Sequence, residues 1–257
     1  RRISPYLQNE PLNDKRLPEF VQYISERAPH STTLVTTNGT ELTEERAEAL
    51  IRAGLKRLKV SLQSLDPETN RAIMGYSSEP VIKNILGVKR VTDKLRPKDF
   101  DFRVSMIVTV KNREEIENAR RFWKRRGVRL VTAALENRGG NIKNAEQLNG
   151  GEMAPRSQCI RPFREMCILY NGDVVLCCVD WFRTVVLGNV AEQSIRDIWN
   201  GPRLTQIRTG FEQPRLGWGH ELLPDICVHC TESARPHKHR RGLKGILTRA
   251  FAPLTRT

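Results

Sequence analysis

Acidic residues are scarce in this chain, and cysteine is missing from its first 158 positions. Of 257 residues, 43 are Lys or Arg and 29 are Asp or Glu, a formal net charge of +14. That excess favours an anionic partner such as nucleic acid, a membrane surface or an acidic peptide, with a merely solvated basic surface as the plain alternative. No stretch approaches the roughly 18 apolar residues of a membrane span. The opening "RRISPYL" leads into no apolar core region or cleavage site, which excludes a signal peptide there. The six cysteines lie between Cys159 and Cys230. Few cysteines in a long chain with no export signal argue against a disulfide frame and for a cytoplasmic setting. The first residue is not Met and a strand-like run begins at once, so the sequence reads as part of a longer protein.

With 39% hydrophobic residues the chain can bury a sizeable core. Its first half alternates two periodicities. Strand patterns occupy 2–7, 32–38, 57–64, 100–110 and 128–135; helix patterns occupy 17–28, 43–54, about 80–95 and 112–127. In 17–28, Leu17, Phe20, Val21 and Ile24 share a helical face. Thr43 opens the next helix and Gly54 stops it. Asn112 and Glu115 have capping-box spacing. Strands and helices in strict alternation predict an α/β fold with a parallel sheet and a ligand site at the carboxyl ends of its strands.

The pattern then changes. Residues 141–157 read as a linker, 158–232 as a small cysteine module, and 233–257 as a basic tail. From Arg235 onward the tail holds seven Lys/Arg and no acid; it reads as a disordered end, with an amphipathic surface helix as the alternative. "LYNGDVVLCC" reads as a hairpin turning at Asn171-Gly172. Residues 194–201 read as a short helix. "GFEQPRLGWGH" (210–220), with Trp218 and His220, reads as a surface loop or a substrate-lining segment.

Seventeen residues separate Cys159 from Cys177, and 49 more separate Cys177 from the Cys227-x2-Cys230 turn. A C-x2-C turn aims two thiolates at one metal or cluster, which suits zinc and iron–sulfur alike. The first pair is split by a hairpin, which weakens a zinc-ribbon reading.

The pattern C-x12-G-x4-C, then "LGNVAEQSIRDIWNG" (187–201), then C-x2-C, resembles the auxiliary-cluster region of radical S-adenosylmethionine (radical SAM) enzymes, the SPASM/twitch domains. The resemblance implies a partial (β/α)6 TIM-like barrel, strands 2 to 6 present, followed by a Cys-rich α+β module. It implies one auxiliary 4Fe–4S cluster on Cys159, Cys177, Cys227 and Cys230, with Cys167 and Cys178 as bystanders. A register slip would make Cys178 the ligand in place of Cys177. In the barrel, "NEP" at 9–11 is similar to the family's motif for the methionine amino group, with Glu10 as its glutamate, although Gln8 and Asn9 replace its glycines. "TNG" at 37–39 places Asn38 and Gly39 in the cofactor cleft. Ser61 and, on the next strand, Arg103 or Ser105 would approach ribose or carboxylate; Gln63 stands where an acid is usual. "ENRGG" (136–140) would meet adenine or substrate.

The family's C-x3-C-x2-C triplet, which holds the cofactor-cleaving cluster, is nowhere in these residues. The resemblance therefore implies S-adenosylmethionine and a second 4Fe–4S cluster in the intact protein, and an inactive chain without it. It also implies a peptide or small polar substrate and an electron donor such as flavodoxin or ferredoxin. A zinc-stabilised basic module for nucleic acid, and a non-catalytic cofactor-binding remnant, stay open as alternatives.

Overall fold

The computed structural model describes residues 1–153, 159–213 and 221–231. Residues 154–158, the Trp218–His220 segment and the tail beyond 231 lie outside the described residues. Two compact units emerge: 1–135 with 144–152, and 136–143 with 153–257.

In the first unit five strands form one parallel sheet in sequence order: β1 (Arg2–Ile3), β2 (Thr32–Thr37), β3 (Arg57–Ser61), β4 (Asp101–Val108) and β5 (Arg129–Ala134). Helices α1 (Leu17–Arg27), α2 (Glu44–Arg52), α3 (Pro67–Met74), α4 (Ser78–Leu95) and α5 (Ile116–Arg125) fill the connections. Leu58, Val60, Val104 and Met106 are sealed from solvent, as are Val21, Ile85, Val88 and Trp123 from the helices. On β3 the buried Leu58 and Val60 alternate with half-buried Arg57, Lys59 and Ser61. Trp123 meets Phe122 edge to face at 4.9 Å. A short α6 (Ala145–Asn149) returns to this unit, where the Leu148 carbonyl accepts from the Val110 N–H.

Several expectations shift. The first strand keeps only two residues, because Pro5 offers no N–H to a ladder. The strict alternation fails between β3 and β4, where α3 precedes α4. Asp66 caps α3 by accepting from the Thr69 N–H, Pro67 occupies its first turn, and Gly75 closes it at φ +85°. The capping box at 112–115 is not formed. Asn112 makes no helix-capping bond, and a 3-10 turn at Arg113–Glu115 leads into α5. Glu115 Oε2 instead accepts from the Leu65 N–H at 3.3 Å. Thr43 does cap α2, accepting from the Arg46 N–H.

The second unit carries a three-stranded antiparallel sheet, β6 (Cys167–Ile168), β7 (Asp173–Val175) and β8 (Val186–Asn189). Gly172 turns the β6–β7 hairpin at φ +89°, and a Cβ there would stand 2.6 Å from Asn189 Oδ1. Helices α7 (Arg161–Arg164), α8 (Ile195–Trp199), α9 (Pro202–Glu212) and α10 (Asp225–Val228) surround it. Ser194 caps α8. The sequence reading missed α9, which absorbs residues 210–212. Phe163, Leu176, Val179, Ile207 and Phe211 form the core. Among the described residues no helix is long and apolar enough to cross a membrane.

Candidate functional site

Glu10 follows β1 and reaches across to the carboxyl end of β2. Its Oε1 accepts from the Leu12 N–H at 3.2 Å and the Thr37 hydroxyl at 2.5 Å, and its Oε2 from the Asn38 N–H at 2.8 Å. Asn38 Oδ1 accepts from the Thr40 N–H and hydroxyl. Gly39 sits at φ +80° with no room beside it: a Cβ would be 2.7 Å from Val60 and 3.0 Å from Val81. The Tyr76 hydroxyl donates to the Asn38 carbonyl at 3.2 Å. Burial, aided by the nearby Glu10 charge, pushes the Tyr76 phenol up to about 12. Glu10, Asn38 and Gly39 therefore form one hydrogen-bonded group. Tyr76, which the sequence reading missed, closes it.

Ser61 and Ser105 are register partners on β3 and β4. Ser105 is buried and Ser61 half-buried. Arg103 lies elsewhere, near the start of β4. Its Nε donates to Asp101 Oδ1 at 2.7 Å, and its Nη2 also bonds that carboxylate. Arg57 pairs with the same Asp101 at 2.9 Å. A carboxylate of its own strand thus already pairs with Arg103. Gln63, in place of an acid, is structural: its Oε1 accepts from the Ile107 N–H at 2.6 Å. "ENRGG" belongs to the second unit. Asn137 donates to the His229 carbonyl and exchanges two bonds with Thr231, tying this segment to the Cys227–Cys230 turn.

In the second unit Cys159, Cys177, Cys227 and Cys230 line one pocket, partly open to solvent, together with Arg161 and apolar side chains such as Val179 and Ile226. The described residues include all six cysteines, and none is in a disulfide. Burial pushes the Cys177 thiol up to about 12, against a lowering hydrogen bond from the Val179 backbone; burial raises Cys227 further, with neighbouring thiols adding to it. Bare thiolates are costly in such a place, and a bound cation reverses that balance. Cys167 and Cys178 do not line the pocket. Cys178 Sγ instead receives Arg161 Nη1 at 2.9 Å. Asp180, just beyond, is fully buried and accepts from the Thr184 and Val185 N–H groups, fixing the loop after the cysteine pair. Among the described residues no three His, Cys, Asp or Glu side chains converge tightly enough for a single metal ion.

A model described as "Radical SAM superfamily" matches residues 6–123, and one described as "SPASM: Iron-sulfur cluster-binding domain" matches 159–231. The chain carries a radical SAM domain followed by a SPASM domain. It is a radical SAM enzyme chain carrying a SPASM domain, with the α/β fold expected of it and use of S-adenosylmethionine and 4Fe–4S clusters implied by the two domains. A relative from Niallia circulans, "S-adenosyl-L-methionine-dependent 2-deoxy-scyllo-inosamine dehydrogenase", is 25% identical over 229 residues, covering 89% of this chain and 72% of that protein. The solved structure of BtrN in complex with AdoMet and 2-DOIA superposes with a TM-score of 0.56 at 23% identity, over 89% of this chain and 72% of that one. Streptococcus suis SuiB bound to the precursor peptide SuiA gives 0.59 at 17% identity, over 79% of this chain and 54% of that one. These structural likenesses carry the fold alone. The radical SAM family does not favour the zinc-module or remnant alternatives.

Proposed function

We propose that the cysteine pocket holds one auxiliary 4Fe–4S cluster on Cys159, Cys177, Cys227 and Cys230. One observation carries this: four thiols drawn from three separate segments line a single pocket, while the other two cysteines do not. The donor set fits: four sulfur donors, buried at Cys177 and Cys230 and half-buried at Cys159 and Cys227, in need of positive charge. Cys177, not Cys178, takes the ligand role in this assignment.

The carboxyl ends of β2 to β4 are assigned to S-adenosylmethionine. Glu10 offers a carboxylate, and the Asn38–Gly39 segment offers backbone groups, to the ammonium end of the methionine. Ser61 and Ser105 offer hydroxyls from adjacent strands. When bound beside a reduced cluster, S-adenosylmethionine supplies the radical that abstracts hydrogen from substrate. The residues of this chain orient it: Thr37 and the Asn38 N–H fix Glu10, and Tyr76 fixes the Asn38 carbonyl. No C-x3-C-x2-C triplet occurs in the 257 residues, so reductive cleavage is not assigned to them. The proposed substrate is a peptide or small polar molecule, as for the dehydrogenase and SuiB relatives. A flavodoxin or ferredoxin would donate electrons, in the cytoplasm.

Anaerobic reconstitution with iron and sulfide tests the cluster. About four irons and four sulfides per chain with broad visible absorption are expected. A colourless chain with a single zinc would sink the assignment. Isothermal titration with S-adenosylmethionine tests the second site: Glu10→Ala should weaken binding at least tenfold, and unchanged affinity would remove Glu10 from it.

A further inference from the structure

Arg161 alone carries a fixed charge among the described residues that line the cysteine pocket. It lies two positions after Cys159, at the start of α7. Its side chain is 20% exposed. Nη1 donates to Cys178 Sγ at 2.9 Å and to Glu165 Oε2 at 2.8 Å. The guanidinium is thus anchored by the neighbour of one candidate ligand and stands two residues from another.

Four thiolates leave an iron–sulfur core anionic, and one added electron makes it more so. Net charge, hydrogen bonds to sulfur and solvent access set the potential at which that electron is accepted. We propose that Arg161 is a positioning residue that raises the reduction potential of the auxiliary cluster by holding a cation against its thiolate shell, with Cys178 and Glu165 as its anchors. The proposal rests on the four-cysteine assignment. The step is a one-electron transfer: the cluster gains one electron, an external one-electron reductant of the flavodoxin or ferredoxin class loses one, and no bond forms or breaks. Cys178 acquires a purpose here, as the acceptor that aims the guanidinium.

The test is a spectroelectrochemical titration of the reconstituted chain, with redox mediators supplying the electron. The parent chain is measured first; if it takes up no iron–sulfur cluster, the four-cysteine assignment itself fails, independently of Arg161. With a cluster in hand, Arg161→Gln is compared at equal iron and sulfide content. At the parent's midpoint the reduced-to-oxidised ratio should fall about tenfold, which for one electron is about 59 mV. Arg161→Lys keeps the charge and should stay within about threefold of the parent. An Arg161→Gln cluster of full iron content with an unmoved midpoint would overturn the proposal, as would equal shifts in both variants. Should the Gln variant fail to load, Arg161→Lys decides. A midpoint near the parent's supports the role of charge, and a tenfold shift refutes it.

Discussion

Asn112 offers the sharpest test of how the strand ends are held. It is 2% exposed. Its Nδ2 donates to the Gln63 carbonyl at 2.7 Å and the Ile107 carbonyl at 2.9 Å, and its Oδ1 accepts from the Thr109 N–H at 2.8 Å. One amide thus serves three backbone groups that no ladder reaches where β3 and β4 end. Truncation in Asn112→Ala orphans all three. Each orphan costs about 1–3 kcal/mol; at the low end, where water reaches the gap, the total is about 3 kcal/mol. Hydrogen exchange over residues 101–112 reads this locally, without requiring the two units to unfold together. A loss of about 3 kcal/mol accelerates exchange through opening by about a hundredfold. Asn112→Asp keeps the acceptor but faces two carbonyl oxygens with a buried anion. It should exchange faster still at neutral pH, and the excess should shrink in acid as the carboxyl takes a proton. Acceleration below about threefold in the Ala variant, or parent-like exchange in the Asp variant, would refute the reasoning.

Three further outcomes are expected. Gly39→Ala combines a left-handed backbone with a 2.7 Å approach to Val60 and should cost about 2–4 kcal/mol in urea titrations; a loss under 1 kcal/mol would show that the turn relaxes freely. Cys159→Ala should abolish most iron uptake while Cys167→Ala retains it, and equal loss from both would undo the distinction between ligand and bystander. The raised Tyr76 phenol binds its proton more tightly in the folded than in the unfolded chain, so its stabilising contribution is complete below about pH 10 and lost as pH rises towards 12. Phenolate absorbance should show a late-titrating component that disappears in Tyr76→Phe, and its persistence in that variant would contradict the assignment to Tyr76.

Local chemistry was legible wherever one segment decides its own structure. Thr43 caps its helix as its sequence context implies, and Asn171-Gly172 turns its hairpin. The five parallel strands follow from the alternation of strand and helix patterns along the first half. What stayed hidden depends on partners far along the chain. Asn112 and Glu115 have the spacing of a capping box, but carbonyls at the ends of β3 and β4 compete for Asn112 and win. Arg103 looked like an anion binder, yet Asp101, two positions earlier on its own strand, takes the guanidinium. Nothing in the sequence singled out Arg161; only the pocket brings it among four cysteines. By contrast, Asp66-Pro67 and Gly75 did mark both ends of α3, and that missed helix was readable.

The three bonds to Glu10 have a consequence for any ligand that meets it. A carboxylate on a surface loop samples many rotamers, and a ligand that needs one of them must freeze the rest at its own expense. Here Leu12, Thr37 and Asn38 have already chosen the rotamer as the chain folds. The ordering entropy is charged to folding, so an arriving cation finds its partner already aimed.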